Sequence, residues 1–529
     1  MNYGEYHEKE KGEKNMNFYR KAVAGATPES ASKKFGIKDK LTYMCGDIGC
    51  NMSFALNSYL MLFWTQYMGF SNNPDPVAAS AETLAIWGVI ILCLKIWDAI
   101  NDPIIGGLVD LIKPKPGQSK FKPWIFWGSF ALVFAGALCF IPIKTAPVPL
   151  KIIVCVIGYL LWDMAYTIVN VPYGSLNSVI TANPDERASL STFRSIGAMV
   201  AGMVLGMGIP MIIFEGGQST GNILGERLII VGLVCGIVGI VCFQILCRGT
   251  TERVIVDYTA QEEAKGEKFN YFKSLGAFFT NRAAVSYTLV SIFQLLAMAF
   301  MQTVSVNYIQ IAFPEFAQMS GIVQMLSMLP MVAVIPFATK LVKKFGKKEA
   351  CTWPNLLGVS AGVLLLVIPA ENIPGIVGVI VFLIPGIFMG LGISVNSLVG
   401  WAMVADCIDY QEYKTGKREE GVVYATYSLG RKLAQGVGSS LVSFLLIPTG
   451  FVAGGLIDPT TGNPSMALQP EGTSTNVRIL LGLVYIVCFA IQFALLLWVY
   501  NLDKKTLAEV SAKLGRDENT IENAKSMDD

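Results

Sequence analysis

Apolar residues run along this chain in blocks of about twenty, the length a helix needs to cross a bilayer core at 1.5 Å per residue. The blocks lie near 42–70, 82–111, 122–142, 150–181, 190–214, 226–247, 284–312, 317–342, 350–369, 374–402, 421–449 and 477–501. They predict an all-α polytopic membrane protein with about twelve transmembrane helices. With 53% hydrophobic residues, 15% charged and a mean hydropathy of +0.50, the composition excludes an ordinary soluble domain. Residues 1–40 are polar and rich in Lys and Glu, and read as a cytoplasmic tail with no cleavable signal.

Basic residues orient the spans. They crowd the N-terminal tail (Lys9, Lys11, Lys14, Arg20, Lys21), the second loop (Lys113, Lys115, Lys120, Lys122) and the sixth (Arg248, Arg253, Lys265, Lys268). They return in the eighth loop (Lys343, Lys344, Lys347, Lys348) and after the last span (Lys504, Lys505), whereas 71–82 and 371–374 carry almost none. The positive-inside rule then puts both termini in the cytoplasm, with an even number of spans. A charged linker, 248–283, divides a bundle over 41–247 from one over 284–501, and 502–529 form a cytoplasmic tail. Gly117-Gln-Ser-Lys120-Phe-Lys122-Pro-Trp124 and Gly346-Lys347-Lys348, followed by Trp353-Pro354, share an order of glycine, basic residues and tryptophan beside proline. Their matched positions fit a parallel duplication of two six-helix bundles.

The eleven cysteines stand singly, without metal-ligand or redox spacing, and His7 is the only histidine. Histidine-based triads, proton shuttles and metal sites are thereby excluded from the membrane region, and no cofactor or enzymatic activity is expected. The near-neutral net charge of +2 says nothing about partners. We expect a monomer in the plasma membrane, with lipid and a small solute as its partners and no nucleic acid.

Chemistry enters with Lys95-Ile-Trp-Asp98-Ala-Ile-Asn101-Asp102-Pro103 inside the second span. Asp98, Asn101 and Asp102 share one helix face. An ionised side chain at bilayer depth costs at least ~3 kcal/mol, and two carboxylates a turn apart also repel. Something positive must neutralise them: a hard monovalent cation on carboxylate and amide oxygens, a proton, or an ion pair with Lys95.

The fourth span carries Asp163, Thr167, Asn170 and Gly174 at i, i+4, i+7 and i+11, a single polar stripe that suits the wall of a water-filled cavity, with Tyr166 beside it. Asp47 and Asn51 share a face of the first span, among glycines. Arg187 reads as a cytoplasmic surface residue, while Arg194 opens the fifth span and points into the bundle. Asp406 and Asp409 end the tenth span one turn apart, facing Arg187 and the Lys347/Lys348 region as either a solvated helix end or an ionic latch. Lys432 on the eleventh span either snorkels or faces the cavity.

These segments, Gly46–Asn51, Lys95–Pro103, Lys120–Trp124, Tyr166–Leu176, Glu186–Arg194 and Val404–Lys432, resemble the glycoside–pentoside–hexuronide:cation symporters of the major facilitator superfamily. The likeness extends over nearly the whole chain. It implies two six-helix bundles around a central cavity, working by alternating access. It also implies a cation site of Asp98, Asn101, Asp102 and Thr167, with Asp98 and Asp102 as the charged ligands of Na⁺, or alternatively H⁺ or Li⁺. The sugar-binding acid of the family falls on Asn170 and its stacking tryptophan on Gly174. The first-helix acid falls on Asn51, with Asp47 one turn before it, and the family arginine and lysine match Arg194 and Lys432. The departures at Asn170 and Gly174 resemble the subgroup that carries xylosides, glucuronides and other glycosides.

The leading expectation is therefore cation-coupled sugar symport, with Asp47, Asn51, Asp163, Tyr166, Asn170, Arg194 and Lys432 on the substrate. Trp64, Tyr173 and Trp401 are candidates to stack on the sugar. A carrier of a lysolipid-like solute is the alternative, and a non-transporting sensor a third class. The sensor has no need of two membrane carboxylates.

Overall fold

The computed structural model describes residues 19–112, 114, 117–181, 183–215, 220–254, 279–415 and 420–514. Much of the expected linker and of both tails lies outside these residues. Among the described residues each expected span falls on helix, the first of them broken. They are α1 (Ile37–Asn57), α2 (Pro76–Leu111), α3 (Lys122–Leu138), α4 (Val148–Ile180), α5 (Pro184–Ile213) and α6 (Gly225–Gly249), then α7 (Arg282–Ala312), α8 (Ser320–Phe345), α9 (Asn355–Val367), α10 (Gly375–Thr415), α11 (Glu420–Leu446) and α12 (Thr473–Ala494). Nine helical stretches among the described residues are long and apolar enough to cross a membrane, and α3 is a shorter apolar helix. Large apolar side chains face outward on many of them, Trp127, Phe134, Val367 and Trp498 among the most exposed, as expected where the surrounding medium is hydrocarbon.

The first span departs from a simple helix. α1 stops at Asn57, a short turn follows over Leu60–Leu62, and Phe63–Met68 wind as a π-helix that ends at Gly69, whose φ is +63°. Glycine tolerates that φ without steric cost. The buried Lys151 of α4 donates to the carbonyls of Met68 (2.8 Å) and Gly69 (3.3 Å), satisfying carbonyls that the helix end leaves open. At the other extreme, α10 continues well past the apolar block to Thr415, which puts Asp406 and Asp409 on the same helix as the membrane span.

The described residues form two compact units: those within 19–72, 97–213 and 223–254 in the first, and those within 73–96, 214–222 and 279–514 in the second. The first part of α2 belongs to the second unit, where the Gly88 carbonyl accepts from Ser440 and the Phe451 carbonyl from Ser80. Segment 214–222 joins the same unit through Asn222, which donates to the Pro464 carbonyl. Within the first unit, the segment before α1 docks on neighbouring loops. Gly25 N donates to the Gly117 carbonyl, and Arg253 holds Asp39 at 2.8 Å while donating to the carbonyls of Lys33 and Lys34. Beside it Glu252 is buried, and desolvation pushes its carboxyl up from the ordinary carboxylate range.

Candidate cation and substrate sites

Two polar groups lie on the stripe of α4 in the first unit. At one end α2 meets α4. Asn101, Asp163 and Thr167 are almost fully buried, and Asp98 and Asp102 are half-buried. The Asn101 amide nitrogen lies 3.3 Å from Asp163 Oδ2 and 3.3 Å from Thr167 Oγ1. Thr167 in turn donates to Asp102 Oδ1 at 3.0 Å. The groups are carboxylates, a hydroxyl and an amide, with no thiol or imidazole, a set whose oxygens suit a hard cation rather than a transition metal.

The other end of the stripe, about 10–15 Å along the helix at 1.5 Å per residue, meets α1 and α5. Arg194 Nε pairs with Asp47 Oδ1 at 2.9 Å, and Asn51 donates to Asp47 Oδ2 at 3.0 Å. The Arg194 guanidinium sits 4.9 Å from the Tyr173 ring centre. Tyr173 stacks at a tilt on Tyr43, 4.8 Å between centroids, and donates to the Tyr43 carbonyl at 2.9 Å. A side chain at Gly46 would collide with that tyrosine, so the glycine lets α1 and α4 close up. Asn170 Oδ1 accepts from Cys50 Sγ at 3.8 Å. A Cβ at Gly174 would stand 3.6 Å from an Arg194 nitrogen, so the position that lacks a ring is next to the arginine. Tyr166 stacks on Trp162 at 5.5 Å, and Trp162 donates to Ser53 at 2.6 Å.

The structure thus brings Asp47, Asn51 and Arg194 together, and separately Asn101, Asp102, Thr167 and Asp163. Asp163, expected among the sugar groups, has its carboxylate on Asn101 in the other cluster. Two of the stacking candidates, Trp64 and Tyr173, lie in packed surroundings. Trp64 is 1% exposed, bonded to the Cys139 carbonyl, and Tyr173 is fully buried under Arg194. The Trp401 and Arg187 side chains lie outside the described residues.

In the second unit, Lys347 bonds both oxygens of Asp406 at 2.7 Å. The pair ties α10 to the turn after α8 inside one unit, so it does not itself join the two halves. Lys348, Asp409 and Lys432 are half-buried in the same unit. Sequence reasoning missed a buried network there. Tyr287 donates to Asn396 at 2.9 Å, Asn396 donates to Gln294, and Gln294 donates to Ser397 at 2.6 Å. Ser291 and Tyr427 hydroxyls lie 2.9 Å apart, and Arg431 donates to Tyr427 at 3.2 Å. Tyr287, Ser291 and Gln294 at i, i+4 and i+7 carried a signal as legible as that of α4, but without a charge to single it out.

Spans that bury carboxylates, amides and an arginine inside a polytopic helical protein define a membrane transporter of polar solutes. The chain belongs to the MFS/sugar transport protein family, whose model matches residues 42–504. It is thus a transporter and not an enzyme, and the resemblance read from its motifs holds. It is 28% identical to the isoprimeverose transporter of Lactiplantibacillus pentosus, over 78% of this chain and 81% of that one. It is 26% identical to the putative glycoside/cation symporter YagG of Escherichia coli, over 90% of this chain and 95% of that one. Its fold is similar to a crystal structure of the peptide transporter POT in complex with sulfate, with a TM-score of 0.56 at 12% identity, covering 90% of this chain and 97% of that one.

Proposed function

We propose that this protein couples the inward movement of a glycoside to that of a monovalent cation, Na⁺ in the first instance, by alternating access. The observation that carries the reading is the division of one helix, α4, between a carboxylate–amide–hydroxyl cluster on α2 and an Asp–Arg–Asn cluster on α1 and α5. Two carboxylates, a hydroxyl and an amide oxygen fit a hard cation, which offsets the repulsion between Asp98 and Asp102. A bound cation also removes the cost of carrying bare carboxylates through the membrane, which links its binding to the conformational cycle.

The second cluster suits a polyol. Sugar hydroxyls both donate and accept, and Asp47, Asn51, Asn170 and Arg194 offer matching partners on three helices. Arg194 presents a fork that fits two adjacent hydroxyls or the carboxylate of a uronide. The isoprimeverose transporter and the glycoside/cation symporter among the relatives support a glycoside as the cargo. Lys432, Asp409 and Lys348 take supporting roles in this reading, at the substrate and at the cytoplasmic gate.

Uptake into proteoliposomes tests it. A panel of xylosides, glucuronides and other glycosides is offered with and without imposed Na⁺, Li⁺ and H⁺ gradients. Accumulation of one glycoside above equilibrium in response to a cation gradient is expected. Uptake that merely equilibrates under every gradient overturns coupling, and transport of lysolipid in place of every sugar overturns the cargo.

A further inference from the structure

We propose that Asp163 is a positioning residue for the coupling cation, turning the Asn101 amide so that its carbonyl oxygen faces the ion. The inference rests on the reading of Asp98, Asn101, Asp102 and Thr167 as the cation site. It goes beyond that reading by adding a carboxylate from α4 that does not itself need to touch the ion.

An asparagine amide is a hazard beside a cation, because rotating it half a turn replaces an acceptor oxygen by two donor hydrogens. Something must fix the flip. Here Asn101 Nδ2 has two acceptors within reach, Asp163 Oδ2 at 3.3 Å and Thr167 Oγ1 at 3.3 Å. The reverse flip would set a carbonyl oxygen against the Asp163 carboxylate, two acceptors with no proton between them. With the nitrogen engaged by Asp163 and Thr167, the amide oxygen is the group left to face the ion, which Thr167 Oγ1 can still meet through its second lone pair.

The proton directions of these three bonds follow. Thr167 spends its single hydroxyl hydrogen on Asp102 Oδ1 at 3.0 Å, so it meets Asn101 as an acceptor. The order is Asp163 accepting from Asn101, Asn101 donating to Thr167, and Thr167 donating to Asp102. Asp163 and Thr167 are one turn apart on α4, so the helix delivers both acceptors to the same amide. Asp163, Asn101 and Thr167 are each no more than 3% exposed, so solvent is a poor substitute for a lost partner.

Cation binding by isothermal titration of the purified full-length protein tests this, with glycoside affinity measured separately at saturating cation. Loss of a group that orients a metal ligand costs about 10–100-fold in affinity. We therefore expect Asp163→Ala to weaken cation binding by about 10–100-fold while glycoside affinity stays at the wild-type value. Asp163→Asn keeps an acceptor oxygen of the same reach, and is expected to bind the cation as the wild type does. Asp163→Ser, too short to reach Asn101, repeats the truncation if the alanine variant does not fold. Equal losses in Asp163→Ala and Asp163→Asn overturn positioning, because charge alone would then be at work. Wild-type cation binding in both truncations overturns it as well, as does a loss confined to glycoside affinity. Asp102→Asn run alongside separates the two claims: unchanged cation binding there means that the site reading itself fails.

Discussion

Arg194 lies over the face of Tyr173, its guanidinium carbon 4.9 Å from the ring centre, while its Nε is bonded to Asp47 at 2.9 Å. Tyr173 is itself fixed, buried and bonded to the Tyr43 carbonyl. The guanidinium is therefore held by a ring face and a carboxylate, a geometry that leaves N–H groups of the fork for a ligand. Side-chain exposure of 37% keeps it within reach.

Arg194→Lys retains the charge but loses the fork and much of the stacking. We expect glycoside affinity to fall at least tenfold, about 1.4 kcal/mol, with cation affinity unchanged. Asn170→Ala should act in the same direction. Equilibrium binding of the glycoside and of the ion, measured separately on purified variants, checks this. Unaltered glycoside affinity in both would remove the Asp47–Arg194 cluster from the substrate site.

Coupling should depend on Asp98 and Asp102. Replacing Asp102 by Cys removes a carboxylate proposed to hold the ion and the acceptor of the Thr167 hydroxyl. Gradient-driven accumulation should vanish while glycoside exchange across the membrane persists. Full accumulation by both Asp98→Asn and Asp102→Asn would place the ion elsewhere.

The Lys347–Asp406 pair is partly buried, with side-chain exposures of 29% and 13%, and both carboxylate oxygens are engaged. Since it lies inside the second unit, its loss should destabilise that unit rather than open a gate. Lys347→Met should lower thermal stability by about 1–3 kcal/mol, the cost of leaving a buried polar group unpaired. Adding Asp406→Asn should recover much of it. A large change in cysteine accessibility from the cytoplasmic side, with stability unchanged, would instead restore the latch.

The spans were legible because a bilayer demands about twenty apolar residues per helix, and the blocks have that length. The break after Asn57 was not. Residues 54–70 read as one apolar run, and contacts distant in sequence, such as Trp64 with the Cys139 carbonyl and Lys151 with Met68, accompany the π-helix. Periodicity also placed Asp163, Thr167, Asn170 and Gly174 on one stripe. It could not say that one end meets α2 and the other α1 and α5, because a stripe records a face and not its neighbours. Gln294 and Asn396 show the same limit from the other direction: uncharged polar residues in a span read as ordinary helix contacts until their partners are seen.

Glu371 and Arg478 give the last prediction, outside either proposed site. Arg478 Nε bonds both Glu371 oxygens, at 3.0 and 2.8 Å, and both side chains are buried. Thr475 and Tyr308 donate to the same carboxylate at 2.7 and 2.8 Å. Burial alone would raise the Glu371 carboxyl, but backbone hydrogen bonding and the Thr475, Tyr308 and Arg478 donors hold it below its ordinary value. The unfolded chain therefore binds the proton at a higher pH than the folded one. Stability from this group is complete above the unfolded value of about 4.3 and is lost as the pH falls through the folded value. Thermal unfolding in detergent should show that acid limb, and Glu371→Gln should flatten it while lowering stability at neutral pH. Glu371→Ala, which strands the buried guanidinium, should cost about 3–5 kcal/mol at pH 7. An acid limb identical in Glu371→Gln and wild type would show that other carboxylates govern it.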